Sequence, residues 1–409
     1  MQRAVDFLGL RRGIVGMLTM VVLVGMGEHM AERFLPVYLL ALGGGAISIG
    51  LLAGLDDLLS ALYSFPGGYL AARLGTKRSL LAFNLMAIAG FALVAAIPAW
   101  PAVIGGAVLF LSWSAISLPA VMGLIAAALP AGKRTMGVSM HSLVRKVPRA
   151  AGPLVAGVLI DVWGTVAGVR LAFGGAMVLA AVALILQTLL IEDDRPEPGR
   201  SNAHLARIGL HPARWVRSMS PPLRNLLVSD ILIRFCERIP DAFVVVWAMQ
   251  VIASPVDATR FGVLTVIEMA TAALVYIPVA HLADRGGKRP FILATFVFFT
   301  LFPVVLWFSR SFWMLAAAFV VRGLKEFGEP ARKALIMDLA PEDAKAVTFG
   351  TYYLVRDVVV SVAAFGGAWL WRIHEVGPTV NLMTALAFGI IGTIWFALNG
   401  RDTSVPPGE

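Results

Sequence analysis

Apolar stretches of about 20 residues or more follow one another along this chain, separated by short polar turns. Each is long enough to cross the hydrocarbon layer of a bilayer as an α-helix. The pattern predicts spans near residues 13–42, 46–72, 79–98, 101–129, 137–163 and 167–191. A second set follows near 223–252, 258–283, 290–309, 312–340, 346–373 and 377–399. The expected fold is an all-α integral membrane protein with twelve transmembrane helices. Residues 1–191 and 223–400 would be two six-helix bundles, joined by a polar, Pro- and Arg-rich loop at 192–222 and followed by a tail at 401–409. Within that loop, Ser201 to Met219 alternates Arg or His with Leu, Ile, Trp and Met, which suits a surface helix or a flexible connector.

The two sets repeat each other. Glu32-Arg33 recurs as Glu237-Arg238, 205 residues on. Asp56 recurs as Glu268, Pro66 as Pro278, Arg73 as Arg285 and Gly75 as Gly287, each 212 residues on. Pro119 matches Pro330, and Leu143-Val144-Arg145 matches Leu354-Val355-Arg356, at 211. A duplicated membrane domain with matched polar residues at mid-depth is the plan of a secondary transporter, with pseudo-symmetric bundles and its site at the repeat interface.

Composition agrees. Hydrophobic residues make up 58% of the 409 and charged residues 14%, against about 25% charged in a soluble domain; the mean hydropathy is +0.81. The net charge of +9 does not imply a nucleic-acid partner, because the loop bases concentrate in alternate loops, the others holding almost none apart from Arg310 near its turn. Arg11 and Arg12, Lys77 and Arg78, Lys133 and Arg134, the central loop, Lys288 and Arg289, and Lys345 lie on one side. This asymmetry predicts cytoplasmic amino and carboxyl termini in a bacterial-type inner membrane, with the bases near anionic lipid. The single Cys236 gives neither a disulfide framework nor a thiolate metal site.

Two loops carry a shared signature. One reads Gly68-Tyr-Leu70-Ala-Ala-Arg73-Leu-Gly75-Thr-Lys77-Arg78, the other Leu282-Ala-Asp284-Arg285-Gly-Gly287-Lys288-Arg289. Here the chain resembles the major facilitator superfamily (MFS), whose loop between helices two and three follows G-x-L-x-D-R-x-G-K/R-K/R. The resemblance implies that Asp284 and Arg285 take part in a charge latch closing one face, and that Ala72, which replaces the usual aspartate, weakens the first copy. Gly152-Pro153-Leu-Val-Ala-Gly157 resembles the G-P-x-x-x-G segment associated with antiporters in that family, in which small residues and a proline kink let helices approach closely. That leans towards efflux by an antiporter.

The strongest chemical signal is the ionisable residues inside spans. An uncompensated charge at the bilayer centre costs roughly 2.5–3.5 kcal/mol even on lenient scales, so such residues should face the bundle interior. Span one carries Glu28, His29, Glu32 and Arg33; span two, Asp56 and Asp57; span seven, Asp230, Arg234, Glu237, Arg238 and Asp241; span eight, Glu268. Span ten carries Arg322, Lys325, Glu326, Glu329, Arg332 and Lys333. The family resemblance implies that these helices line the cavity, whereas helices three, six, nine and twelve, almost free of charge, face lipid. About half of the charges are accounted for by interhelical ion pairs; the number left over suggests a functional use.

The expected function is a secondary active transporter of a small, charged or polar organic solute, working by alternating access, proton-coupled and exporting. Glu28, Glu32, Asp56 and Glu268 are the proton-carrying candidates, since a low-dielectric cavity favours the neutral carboxyl; His29 stands beside them as a further candidate, histidine being the side chain suited to proton exchange at physiological pH. An alternative is an organic-anion or organophosphate exchanger, which the resemblance allows through Arg33 and Arg238. An alternative of another class is a non-transporting scaffold or sensor on the same fold. No nucleophile–base set, H-E-x-x-H or Walker loop occurs, so neither enzyme activity nor a cofactor or metal is expected. The partners expected are a small-molecule substrate, protons and lipid, with the chain acting as a monomer.

Overall fold

The computed structural model describes residues 12–110, 144–190, 219–340, 345–373 and 376–400. The expected span at 101–129 beyond residue 110, the start of the next span, and the stretches 191–218 and 401–409 lie outside the described residues. The described ones are overwhelmingly helical. First come α1 (Arg12–Glu32), α2 (Leu35–Ala41), α3 (Gly45–Leu74), α4 (Thr76–Ala96), α5 (Trp100–Phe110), α6 (Lys146–Trp163) and α7 (Thr165–Leu190). Then follow α8 (Pro221–Asp241), α9 (Val244–Val246) with a π-helical stretch at Trp247–Val251, α10 (Ala258–Gly286) and α11 (Arg289–Phe308). The last are α12 (Phe312–Leu324), α13 (Glu329–Leu339), α14 (Lys345–Trp371) and α15 (Gly377–Asn399).

Helix ends fall where the apolar runs stop. Gly75 and Gly287 have φ of 86° and 82°, a left-handed region that a side chain disfavours, and each turns the chain at the loop signature. Among the described residues, six helices are long and apolar enough to cross a membrane: Lys77–Ala96, Thr165–Leu189, Ala258–Val275, Arg289–Phe308, Thr348–Trp371 and Gly377–Asn399. Val178, Ile185, Leu189, Ile394 and Leu398 are exposed, as expected where the surrounding solvent is lipid.

The chain divides into two compact units: Met1–Ser48, Leu58–Arg207 and Asp257–Val263 form the first, and Ile49–Asp57, Ile208–Val256 and Leu264–Glu409 the second. In the first, α1 packs on α6 and α7, and α7 on α4. Phe91, Phe110 and Phe173 cluster there with ring centroids 5.1–5.9 Å apart. In the second, α8 packs on α14 and α15, and α15 on α11. The helix order of the first packing therefore recurs in the second. Asn381 Nδ2 donates to Ile239 O at 3.1 Å and Gly367 O at 2.9 Å, tying α8, α14 and α15 together.

Three expected spans are interrupted. The first breaks at Phe34 (φ −101°, ψ −3°) and the seventh at Phe243 (φ −99°, ψ −4°). In each, the amide of the phenylalanine donates to the carbonyl three residues back, Ala31 or Pro240, at 2.9 and 2.8 Å. The same bend thus occurs twice, 209 residues apart. The tenth span breaks over residues 325–328, where Gly328 N donates to Thr295 Oγ1 at 2.5 Å and Pro330 starts the next helix.

Candidate functional site

The duplicated bend sets the register of span one against span seven at 209, whereas the repeated Glu-Arg dipeptide reads 205. Counted from Phe34 and Phe243, Glu28 matches Glu237, Glu32 matches Asp241 and His29 matches Arg238. The ion pairs obey this register. His29 Nδ1 pairs with Glu32, and Arg238 Nη1 pairs with Asp241 at 3.0 Å. Each is an i,i+3 pair on the last turn before the bend. Arg33 and Arg238 are therefore not equivalent positions: Arg33 sits at its bend, and Arg238 lies more than a turn before its own.

In the first unit, Glu28 is buried, with Arg145 from the start of α6 close enough to act on it electrostatically. Glu32 is 31% exposed and is faced by His29, Arg33 and Arg149. Gly152 brings α6 against the α1 backbone. A Cβ there would lie 3.0 Å from His29 C and Met30 N, so the small residue of the Gly152-Pro153 segment is what admits this approach. Gly157 does the same against Ala258 and Thr259. Asp161, at the end of α6, accepts hydrogen bonds from Ala258 N at 3.0 Å and Thr259 N at 2.8 Å, the first amides of α10.

In the second unit the charges form an antiparallel ladder between α8 and the broken tenth span. Asp230 pairs with Arg332 at 2.5 Å, Arg234 with Glu329 at 3.7 Å, Glu237 with Lys325 at 2.9 Å and Asp241 with Arg322. Numbers rise on one side as they fall on the other, and sliding by one turn would set Asp230 against Glu329 and Arg234 against Lys325. The charges thus specify a single register by repulsion as well as attraction. Arg234 also pairs along its own helix with Glu237 at 2.6 Å. Cross-links reach further. Glu268 lies 3.2 Å from Arg322, and Asp230 additionally accepts from Tyr352 at 3.1 Å and Arg356 at 3.3 Å. The cations rest on α11 rings: Lys325 Nζ lies 4.9 Å from the Phe299 centroid and 5.2 Å from that of Phe302.

Burial divides this set. Asp230, Arg332, Arg322 and Lys325 are closed off, at 0, 1, 3 and 6% side-chain exposure, whereas Arg238 and Asp241 reach 32 and 23%. The closed members hold helices together, and exposure is greatest at the end before the Phe243 bend. Unlike Asp230, Arg234, Glu237 and Asp241, Arg238 faces α3, whose Asp57 meets it at 2.5 Å.

The other expected residues fall as follows. Asp56 is half-buried on α3, near enough to Arg238 to act on it, and Glu326 lies in the 325–328 turn. Gly68 and Arg73 lie in α3, and Asp284 and Arg285 in α10; their side chains lie outside the described set. Beyond the second loop, Lys288 pairs with Asp338. Sequence reasoning missed the Asp161 cap and the part played by Tyr352. It also missed the three breaks, although Pro36, Pro240 and Pro330 stand beside them.

The sequence model of the Major Facilitator Superfamily matches residues 17–254 and again 231–409. The chain belongs to the Major Facilitator Superfamily. It is a multi-pass membrane transporter of that type. An uncharacterised MFS-type transporter of Methanocaldococcus jannaschii is 22% identical over 382 residues, covering 90% of this chain and 89% of that protein. Among solved structures, a variant of the nucleoside transporter NupG superposes with a TM-score of 0.79 at 10% identity, over 96% of this chain and 100% of that one. The peptide transporter POT in complex with sulfate gives 0.75 at 16% identity, over 95% and 93%. An inward-facing bacterial homologue of the human lysosomal transporter Spinster gives 0.72 at 13%, over 97% and 98%. At these identities the likeness establishes the MFS fold of two pseudo-symmetric helical halves and leaves the solute to the chain's own chemistry.

Proposed function

We propose that this MFS protein moves a small, charged or polar organic solute by alternating access, coupled to protons and in the export direction. The observation that carries the reading is the duplicated ion pair, His29–Glu32 and Arg238–Asp241, placed at a duplicated helix bend. Discontinuous helices with ionisable groups beside the break are the usual setting of substrate and coupling-ion sites in transporters. Glu32, Arg238 and Asp241 keep partial access to water, whereas Asp230, Arg332, Arg322 and Lys325 are closed. Efflux rather than uptake rests on the resemblance of Gly152-Pro153-Leu-Val-Ala-Gly157 to the antiporter-associated segment of the family.

Residues 1–191 and 223–400 are the two moving bodies in this reading, joined by 192–222, with both termini cytoplasmic in an inner membrane. Lys77, Arg78, Lys288 and Arg289, all at the same ends of their helices, support that orientation. A single chain carries both copies of the pair, which supports a monomer as the working unit. Exchange of organic anions by an Arg33–Arg238 clamp has less in its favour, because Arg238 already holds Asp57 and Asp241.

Purified protein in liposomes containing a pH-sensitive dye tests the reading. Under an imposed pH gradient, with a panel of organic cations, zwitterions and anions, at least one compound is expected to drive proton counterflow. Uptake of a compound with no proton movement, whatever the gradient, overturns the coupling.

A further inference from the structure

Asp57 stands apart from the other buried acids. Gly50, Gly54 and Asp57 lie on one face of α3, at i, i+4 and i+7. A Cβ at Gly50 would meet Ala368 and the Ala364 carbonyl, and one at Gly54 the Phe365 ring, so the two glycines let this face sit directly on α14. The face ends at the carboxylate of Asp57, whose Oδ1 lies 2.5 Å from Arg238 Nη2. The other oxygen, Oδ2, is buried with no hydrogen-bond partner among the described residues.

Asp57 adds a further acid to an ion-paired set. Asp230, Glu237, Asp241, Glu268 and Glu329 balance Arg234, Arg238, Arg322, Lys325 and Arg332, and Arg356 with Asp357 forms a neutral pair. Lys333 is half-exposed and screened by water. Facing Asp57 are Arg238, Glu237 and Asp241 from α8 and Asp357 from α14, with Asp56 beside it on α3. Its charged neighbours on α8 and α14 are thus three carboxylates and one guanidinium.

We propose that Asp57 is a proton-binding site whose occupancy controls the attachment of Ile49–Asp57 to α14 and Arg238, and that it serves the coupling proposed above, on which that last step rests. A proton from water converts the carboxylate to the neutral acid, and nothing else is consumed. Arg238 keeps Asp241 as its counter-ion, so the guanidinium is not stranded when Asp57 lets go. The attachment then depends on apolar contact at the two glycines alone, and the segment opens more readily.

Hydrogen–deuterium exchange of the peptide covering residues 49–57, in purified full-length protein and corrected for the intrinsic pH dependence of exchange, reads this directly. The segment is expected to open more often as pH falls from 8 to 5, by up to about tenfold per pH unit where a single proton controls opening. Asp57→Asn should exchange fast at every pH, and Asp56→Asn should follow wild type. Should Asp57→Asn fail to fold, Arg238→Gln is expected to remove the same pH response. A wild-type segment indifferent to pH, or an Asp57→Asn protein that keeps the response, overturns the assignment even if liposome flux follows the pH gradient. A response lost in Asp57→Asn supports it whether or not flux does.

Discussion

Arg332 Nη1 lies 2.5 Å from Asp230 Oδ1, and neither side chain reaches solvent. The carboxylate is further satisfied by Tyr352 and Arg356, so three helices meet on one buried anion. Removing one partner leaves an uncompensated charge in a dry site. Arg332→Met or Asp230→Leu alone should therefore lower stability by about 3–5 kcal/mol. The double variant should recover part of that loss, incompletely because Arg356 would remain without Asp230. Thermal unfolding of the two single variants and the double one, in the same detergent, checks the cycle.

Asp161 holds the start of α10 through two backbone amides, although it belongs to another helix. A carboxylate there satisfies amides that have no partner within the helix and meets the positive end of the helix dipole. Asp161→Ala should cost about 0.5–2 kcal/mol of local stability, and Asp161→Asn less. Amide exchange over residues 258–263 is the measurement: faster exchange confined to that stretch is expected, with the ladder of the second unit unchanged.

Span positions were legible in the sequence because membrane burial imposes a length and an apolar composition; described helix ends fall within three residues of the expected ones. Register within the repeat was not. The Glu-Arg dipeptide at 32–33 and 237–238 repeats at 205, four residues off the 209 between the bends at Phe34 and Phe243, which are a property of the backbone. A bend needs a missing or redirected amide, and the prolines nearby hint at it without fixing the residue. Asp56 and Asp57 show a second limit. Adjacent residues on a helix point about 100° apart, so only the packing of Gly50 and Gly54 decides which one meets Arg238. The ladder is intermediate: its charges were visible, while its pairing depended on the antiparallel setting of two helices far apart in sequence.

Gly152 and Gly157 are the close-approach points of α6. A Cβ at Gly157 would fall 2.7 Å from Ala258 C and 2.9 Å from Thr259 Cα, backbone atoms that have little room to yield. Gly157→Val should therefore displace the start of α10 and release the Asp161 cap, with a cost of about 1–3 kcal/mol or more. Gly152→Ala, at 3.0 Å from the α1 backbone, should cost less and act on α1 instead. Exchange of 258–263 separates the two: accelerated in Gly157→Val, near wild type in Gly152→Ala.

Glu32 and Asp241 are equivalent in the bend register, and both are partly exposed. Partly exposed pairs contribute about 0–1 kcal/mol to stability, so Glu32→Gln should leave the protein folded; Asp241→Asn also takes one of two carboxylates from buried Arg322, which keeps Glu268, and should lower the unfolding temperature modestly. If the duplicated pair carries the coupling, each should abolish pH-gradient-driven flux in liposomes. Glu237→Gln was the natural choice from the repeated dipeptide and should also stop flux, but it removes the anion between Arg234 and Lys325. Its unfolding temperature should therefore fall as well. The decisive comparison is unfolding temperature against flux across the three variants. Intact proton-driven flux in both Glu32→Gln and Asp241→Asn would take the duplicated pair out of the mechanism.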